Sequence, residues 1–203
     1  YEYLSEANSV LSEIISIAEG FKDKRHKSIA FMQLSGQFME LGDKKASIRF
    51  ASQIADDKLM SLMYLELFEI SLKHGAKSEA ESVLKESIRI ASKITNERIQ
   101  SDLRTELAIK LMENGYNKES YDMALAITDT SLIIKAYRKL IDILLDQDRK
   151  KEAKILVKKV LGIIPEIKNE RDKSNAYTSV CFQLIQNDDI EESLRIASEI
   201  TNE

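Results

Sequence analysis

The sequence predicts an all-α protein, a right-handed α-solenoid of about eleven helices stacked as hairpins. Composition is the first reason. The 203 residues hold six glycines and one proline, with 43% apolar and 32% charged residues, rich in the good helix formers Leu, Ala, Lys and Glu. The second reason is a recurring turn. A turn residue is followed five positions later by a small one at Gly42/Ser47, Gly75/Ala80, Gly115/Ser120, Asp148/Ala153 and Asp188/Ser193. The third is spacing. The turns lie 33, 40, 33 and 40 residues apart, so the internal period is 73, one short and one long helical hairpin. Such a period marks a repeat protein, because one hairpin cannot bury its apolar face without a neighbour.

Matches at the 73-residue offset support the register. Ser47, Ala51, Ile54 and Asp56 correspond to Ser120, Ala124, Ile127 and Asp129, then to Ser193, Ala197, Ile200 and Asn202. Ala7, Leu11, Ile17, Asp23 and Arg25 correspond to Ala80, Leu84, Ile90, Asn96 and Arg98, then to Ala153, Val157, Ile163, Asn169 and Arg171.

The elements follow in order. Helix one, over 3–18, is the second helix of a pair without its partner, and 20–24 is a linker. Helix two spans 25–41 and ends at Gly42, which enters the left-handed region without a Cβ clash. Helix three spans 44–55, closed by Asp56 and Asp57. Helix four, 59–74, is apolar nearly all round and is expected to be buried on most sides. Helix five, 78–94, places Ala80, Val83, Leu84, Ser87, Ile90, Ala91 and Ile94 on one face. Helices six to eight span 98–114, 118–127 and 131–146. Helix nine runs from 150 and should kink or stop near Ile164, because Pro165 lacks an N–H and clashes one turn back. Helices ten and eleven span 172–186 and 190–200.

The charge balance narrows the partners. A formal charge of −4 with interspersed signs argues against a nucleic-acid face. No apolar run approaches the roughly 18 residues of a membrane span. Cys181 is the single cysteine, which permits a reducing compartment such as the cytoplasm. The first residues lack the basic start and apolar core of a signal peptide. The first residue is not Met, and Thr201-Asn202-Glu203 repeats Thr95-Asn96-Glu97, which leads into a helix. The expectation is a single domain over 1–203, cut from a longer protein.

The hairpin frame resembles the tetratricopeptide-type repeats. Eight residues before each turn residue stands a large apolar one: Leu34, Leu67, Leu107, Leu140 and Val180. Eleven before it stand Phe31, Tyr64, Arg104, Tyr137 and Tyr177, and four before it Phe38, Ser71, Leu111, Leu144 and Leu184. Five after it stands the small residue. The chain departs from that family in its 40-residue spacings, against repeats of about 34. It departs again at Ser35, Phe68, Ala108, Ile141 and Cys181, where the family has a small residue, and in lacking the closing proline. The resemblance implies a tetratricopeptide-like α-solenoid.

No catalytic constellation is legible, and no enzyme activity, metal or cofactor is expected. His26 and His74, the two histidines, have no Cys or His at ligand spacing. Cys181 stands among Val180, Phe182 and Leu184 and reads as a free core thiol. No glycine-rich loop ends in Lys-Ser or Lys-Thr. Carboxylate pairs such as Glu66 with Glu69 lack a sign of the apolar cleft that splits pKa values.

The resemblance further implies that the first helix of each pair lines a concave face, at positions thirteen, ten and six before the turn residue. These read Ile29, Leu62, Asp102, Lys135 and Asn175; Met32, Leu65, Thr105, Arg138 and Thr178; and Gly36, Glu69, Ile109, Asp142 and Phe182. Of these, Glu69, Asp102, Thr105, Lys135, Arg138, Asp142, Asn175 and Thr178 are the candidate partner-binding residues. Apolar positions come early and charged ones later, a pattern suited to an amphipathic helix or extended peptide. Ile29, Met32, Leu62 and Leu65 also fit ordinary core, and Lys135, Arg138 and Asp142 a solvated face paired along one helix. The carboxy-terminal-peptide clamp of some family members is argued against. Lys135 and Lys139 resemble half of it, but Leu65, Glu69 and Glu106 stand where Lys and Asn are needed. Tyr64, Tyr137 and Tyr177 read as hairpin packing. The functional expectation is a non-enzymatic protein–protein interaction scaffold that holds a peptide or partner protein in its concave groove. The alternatives are a helical-repeat RNA-binding protein and a self-assembling spacer that associates through its solenoid ends.

Overall fold

Helix follows helix through the whole of the structure, a computed structural model that describes residues 12–200, with side chains to 198. Helix α1 is seen over 12–20. It is followed by α2 (Lys24–Glu40), α3 (Lys44–Ala51), α4 (Asp57–Lys73), α5 (Lys77–Lys93), α6 (Glu97–Glu113), α7 (Asn117–Leu125), α8 (Thr130–Asp146), α9 (Lys150–Ile163), α10 (Glu170–Gln186) and α11 (Ile190–Ile200). The expected beginning of helix one, with Ala7 and Leu11, and the Thr201–Asn202–Glu203 repeat lie outside the described residues. The fold is all-α, built of stacked helical hairpins. Contacts divide the chain into two compact units, Tyr1–Thr95 and Asn96–Glu203. In the first, α2 pairs with α3, α4 pairs with α5, and α4 packs on α2. In the second, the hairpins are α6–α7, α8–α9 and α10–α11, with α8 packed on both α6 and α10.

The five expected turn residues are the positive-φ residues of the described chain: Gly42 (φ 80°), Gly75 (71°), Gly115 (79°), Asp148 (56°) and Asp188 (61°). Each closes its helix in the same way. At Gly42 the Asp43 N–H donates to the Phe38 carbonyl (2.8 Å) and the Gly42 N–H to that of Met39 (2.9 Å). The same pair of bonds recurs at the other four turns, as at Arg149 N–H to the Leu144 carbonyl (2.8 Å). These are the six-to-one and five-to-two bonds of the Schellman closure, which require a left-handed residue.

The starts of the first helices repeat as well. Asp23, Asp56, Asn96, Asp129 and Asn169 accept the N–H three residues on, at 2.8–3.0 Å. They stand 33, 40, 33 and 40 apart, and each opens a helix of 17 residues. An Asx side chain there satisfies a helix N–H that has no carbonyl partner. Asp56 therefore opens α4; it does not close helix three. Helix three itself stops at Ala51, short of the expected 55. Ser28 Oγ accepts the Ala55 N–H (3.2 Å), and Ile54 turns into the core, so the chain leaves the helix early. At the equivalent place Ser101 takes the Thr128 N–H (3.4 Å) and α7 ends at Leu125. Helix α9 stops at Ile163 and passes into a 3₁₀ turn, Ile164–Glu166, that contains Pro165.

The core follows the frame. Leu34, Leu67, Leu107, Leu140 and Val180 are buried, as are the small residues Ser47, Ala80, Ser120, Ala153 and Ser193. Helix α4 is buried on most sides, through Ser61, Met63, Tyr64, Leu65, Leu67, Phe68, Ile70 and Ser71. Tyr64 and Tyr137 lie inside the packing and Tyr177 is half-buried.

Candidate functional site: the first-helix face

In the first unit a groove runs between α2 and α4. Ile29, Met32, Gly36 and Glu40 line it from α2, and Leu59, Glu66 and Ile70 from α4. The spacing of Ile29, Met32, Gly36 and Glu40 puts them on one helical face. A Cβ at Gly36 would stand 3.6 Å from Glu66 Oε1, in ordinary van der Waals contact, so α2 and the Glu66 carboxylate lie close together there. The floor is apolar and the rim acidic. Burial, and then the carboxylates of Glu69 and Glu40, push Glu66 above the ordinary carboxylate range, against the pull of Lys73. Glu40 faces His74 Nε2 at 3.8 Å across the rim.

In the second unit Arg98, Ile99 and Asp102 of α6 meet Ser131 and Leu132 of α8 and the cap Asp129 around a second recess. Further along, Lys135 and Arg138 stand exposed on α8, and neither pairs with an acid among the described residues. Asn175 and Thr178 are exposed on α10, where Thr178 Oγ1 donates to the Ser174 carbonyl (2.9 Å).

The candidate residues thus divide. Lys135, Arg138, Asn175 and Thr178 are exposed, and Glu69, Asp102 and Asp142 are half-buried. Thr105 is buried, its hydroxyl donating to the Ser101 carbonyl (2.9 Å), and it offers nothing to a partner. Asp142 accepts from Gln183 Nε2 (2.9 Å), which also donates to the Arg138 carbonyl (2.9 Å). That residue ties α10 to α8, and its own helix gives no sign of the link. Leu65 is core, whereas Ile29 is exposed and Met32 and Leu62 are half-buried.

Cys181 is half-buried. Its thiol donates to the Ser193 carbonyl (3.5 Å), and burial pushes its pKa up. His26 Nδ1 lies 2.8 Å from Asp23, whose carboxyl the His26 backbone N–H holds below its usual range. Among the described residues no group of three or more His, Cys, Asp or Glu is placed to hold a metal ion, and no helix is long and apolar enough to cross a membrane.

No protein-family model matches the chain, and no curated protein matches it. Solved structures do. A chain assigned as a kinesin light chain from Podosopora anserina, with nearly identical TPR-like repeats, aligns at a TM-score of 0.43 and 13% identity, over 85% of this chain and 92% of that one. BtubC (BKLC) from P. vanneervenii aligns at 0.43 and 13%, over 98% of this chain and 88% of that one. The turns, small residues and hairpin pairing described above are tetratricopeptide-like.

Proposed function

We propose that the chain is a non-enzymatic protein-interaction scaffold that receives a peptide or a partner protein along its first-helix face. The α2–α4 groove carries this reading. It offers apolar area at Ile29, Met32 and Leu59 beside three crowded carboxylates, Glu40, Glu66 and Glu69. A ligand with apolar anchors and Lys or Arg flanks would bury the first and relieve the repulsion of the second. Asp102, Lys135, Arg138, Asn175 and Thr178 supply polar contacts on the corresponding face of the second unit. The acidic balance and the acidic rim disfavour the RNA-binding alternative, since nucleic acid demands a cationic track.

The test compares partners captured by the wild type, by Ile29→Asp with Met32→Asp, and by Asp102→Ala, Lys135→Ala and Arg138→Ala together, each checked for helicity. A partner held by the wild type and lost by either folded variant supports the face. A partner kept by both removes the face from function.

A further inference from the structure

The internal repeat allows each face to be compared with its own counterparts, and two faces depart from it with opposite charge. The first is the outer side of α9. Between residues 149 and 159 stand six cations, Arg149, Lys150, Lys151, Lys154, Lys158 and Lys159, against one acid, Glu152. The equivalent stretch of α5, residues 76–86, holds two lysines and three glutamates, so the fold does not require the charge. Three of the six cations have partners: Arg149 pairs with Glu152 (2.7 Å), Lys150 with Asp188 and Lys154 with Asp189 (2.5 Å). Lys151, Lys158 and Lys159 enter no hydrogen bond or ion pair among the described residues. Lys158 only biases Glu192 of α11, which is bonded to Arg195. Lys151, Ile155, Lys158 and Lys159 recur at i, i+4, i+7 and i+8 and form one exposed stripe, with Ile155 58% exposed at its centre. The opposite side of the helix is core, through Ala153, Leu156, Val157 and Val160. At the places of Lys151, Ile155 and Lys159, α5 has Ser78, Ser82 and Glu86.

The second face is the α2–α4 groove. In its α4 wall the acidic Glu66 and the apolar Ile70 stand one turn apart, and in its α2 wall Met32 and Glu40 stand two turns apart. The same positions of the second unit hold Lys139 for Glu66, Thr105 for Met32 and Asp102 for Ile29. The acidic groove thus belongs to the first unit and the cationic ridge to the second. Along α9 a cation precedes and follows Ile155 by one turn, about 6 Å. That interval also separates Glu66 from Ile70, so ridge and groove match in spacing and oppose in sign.

We propose that the α9 ridge seats in the α2–α4 groove of a second copy of this chain, with Ile155 on the apolar floor at Met32 and the flanking lysines against Glu40 and Glu66. This names the occupant of the groove and rests on the reading of the groove as a binding face. The occupant is a second copy because both halves of the match belong to one chain, and each departs from the repeat in the direction that the other needs. A nucleic acid or an unrelated acidic protein on α9 would leave the departure of the groove unexplained. The contact joins two different patches and is therefore heterologous. It brings cations to carboxylates that repel one another in the free groove.

Sedimentation velocity of the chain, from about 1 to about 500 μM in about 50 mM salt, is the test. A sedimentation coefficient that rises with concentration is expected, with an apparent Kd on the order of 10–100 μM that weakens about tenfold in about 500 mM salt. Lys151→Glu with Lys158→Glu and Lys159→Glu should abolish the association, and so, separately, should Glu40→Lys with Glu66→Lys. These side chains are exposed, so both variants should keep wild-type helicity by circular dichroism. An equimolar mixture of the two variants should associate again, since one supplies an intact ridge and the other an intact groove. Ile185→Asp, at an exposed site on α10, should associate as wild type. The proposal is overturned by a chain that stays monomeric to about 500 μM, by association that survives either charge variant, or by a mixture that stays apart. Loss of association in Ile185→Asp also overturns it, because the contact then lies on α10. A monomeric chain whose captured partner is still lost by Ile29→Asp with Met32→Asp overturns this occupant and leaves the groove as a binding face.

Discussion

The short hairpins (α2–α3, α6–α7, α10–α11) and the long ones (α4–α5, α8–α9) close differently. In the short class the helices cross at two small residues, and a hydroxyl stitches them. Ser35 Oγ donates to the Ser47 carbonyl (2.9 Å), Ser120 Oγ to that of Ala108 (2.6 Å) and Ser193 Oγ to that of Cys181 (3.1 Å). In the long class the same crossing holds a large residue against alanine, Phe68 on Ala80 and Ile141 on Ala153, all buried. The second helices follow suit: α3 and α7 have 8 and 9 residues, α5 and α9 have 17 and 14. The long α4–α5 hairpin is stitched as well, but away from its turn, where Ser61 Oγ donates to the Ser87 carbonyl (2.9 Å) and Ser87 Oγ to that of Ser61 (2.8 Å). A short one is pinned at the turn end by the serine stitch and at the other end by Ser28 or Ser101. The lesson is that one turn motif serves two kinds of closure, and that repeat length is set by where the next Asx cap restarts a helix.

Truncation at the crossing should separate the classes most sharply. Phe68→Ala is expected to cost about 3–5 kcal/mol in denaturant unfolding, through lost burial and a residual cavity. Ser120→Ala, at the short crossing, should cost about 1 kcal/mol, the worth of one intramolecular hydrogen bond. Equal costs would erase the distinction. At the turns, Asp148→Gly should stabilise by about 0.5–1 kcal/mol, because φ is 56° and glycine enters that region without a Cβ clash. A loss of stability would mean that the Asp148 side chain holds the turn.

The smallest expected effect lies at the groove. Glu66 has a raised folded pKa, so the fold disfavours its charged form and is less stable at neutral pH for it. That penalty is relieved as pH falls through the raised value. Glu66 is exposed, so solvent screens the effect, and Glu66→Gln should gain at most about 0.5 kcal/mol at pH 7, a gain that should vanish on acidification. A constant difference across pH would place its cause elsewhere.

The turns were legible because a left-handed helix end selects Gly or Asp, and close crossing selects a small residue five positions on. The helix starts were less so. Asp23, Asp56, Asn96, Asp129 and Asn169 recur in the same 33–40 rhythm, but an Asp or Asn between two helices reads equally as an end or a beginning, and by sequence alone Asp56 reads as an end. The face was legible only in part. Thr105 and Leu65 occupy lining positions yet lie buried, because the lean of neighbouring helices decides exposure, and helical spacing does not encode it. Gln183 reaches Asp142 from 41 residues away, a link invisible to any local pattern.

The alternating repeat rests on five left-handed turns, two of them at aspartate. Backbone NMR of the intact chain tests it most directly, through the intraresidue HN–Hα contacts and Cα shifts of Asp148 and Asp188. A strong contact and a non-helical shift at each, with helical shifts from 130 to 146 and from 150 to 163, are the expected result. Helical shifts running unbroken through 148 would contradict the hairpins and the 73-residue register with them.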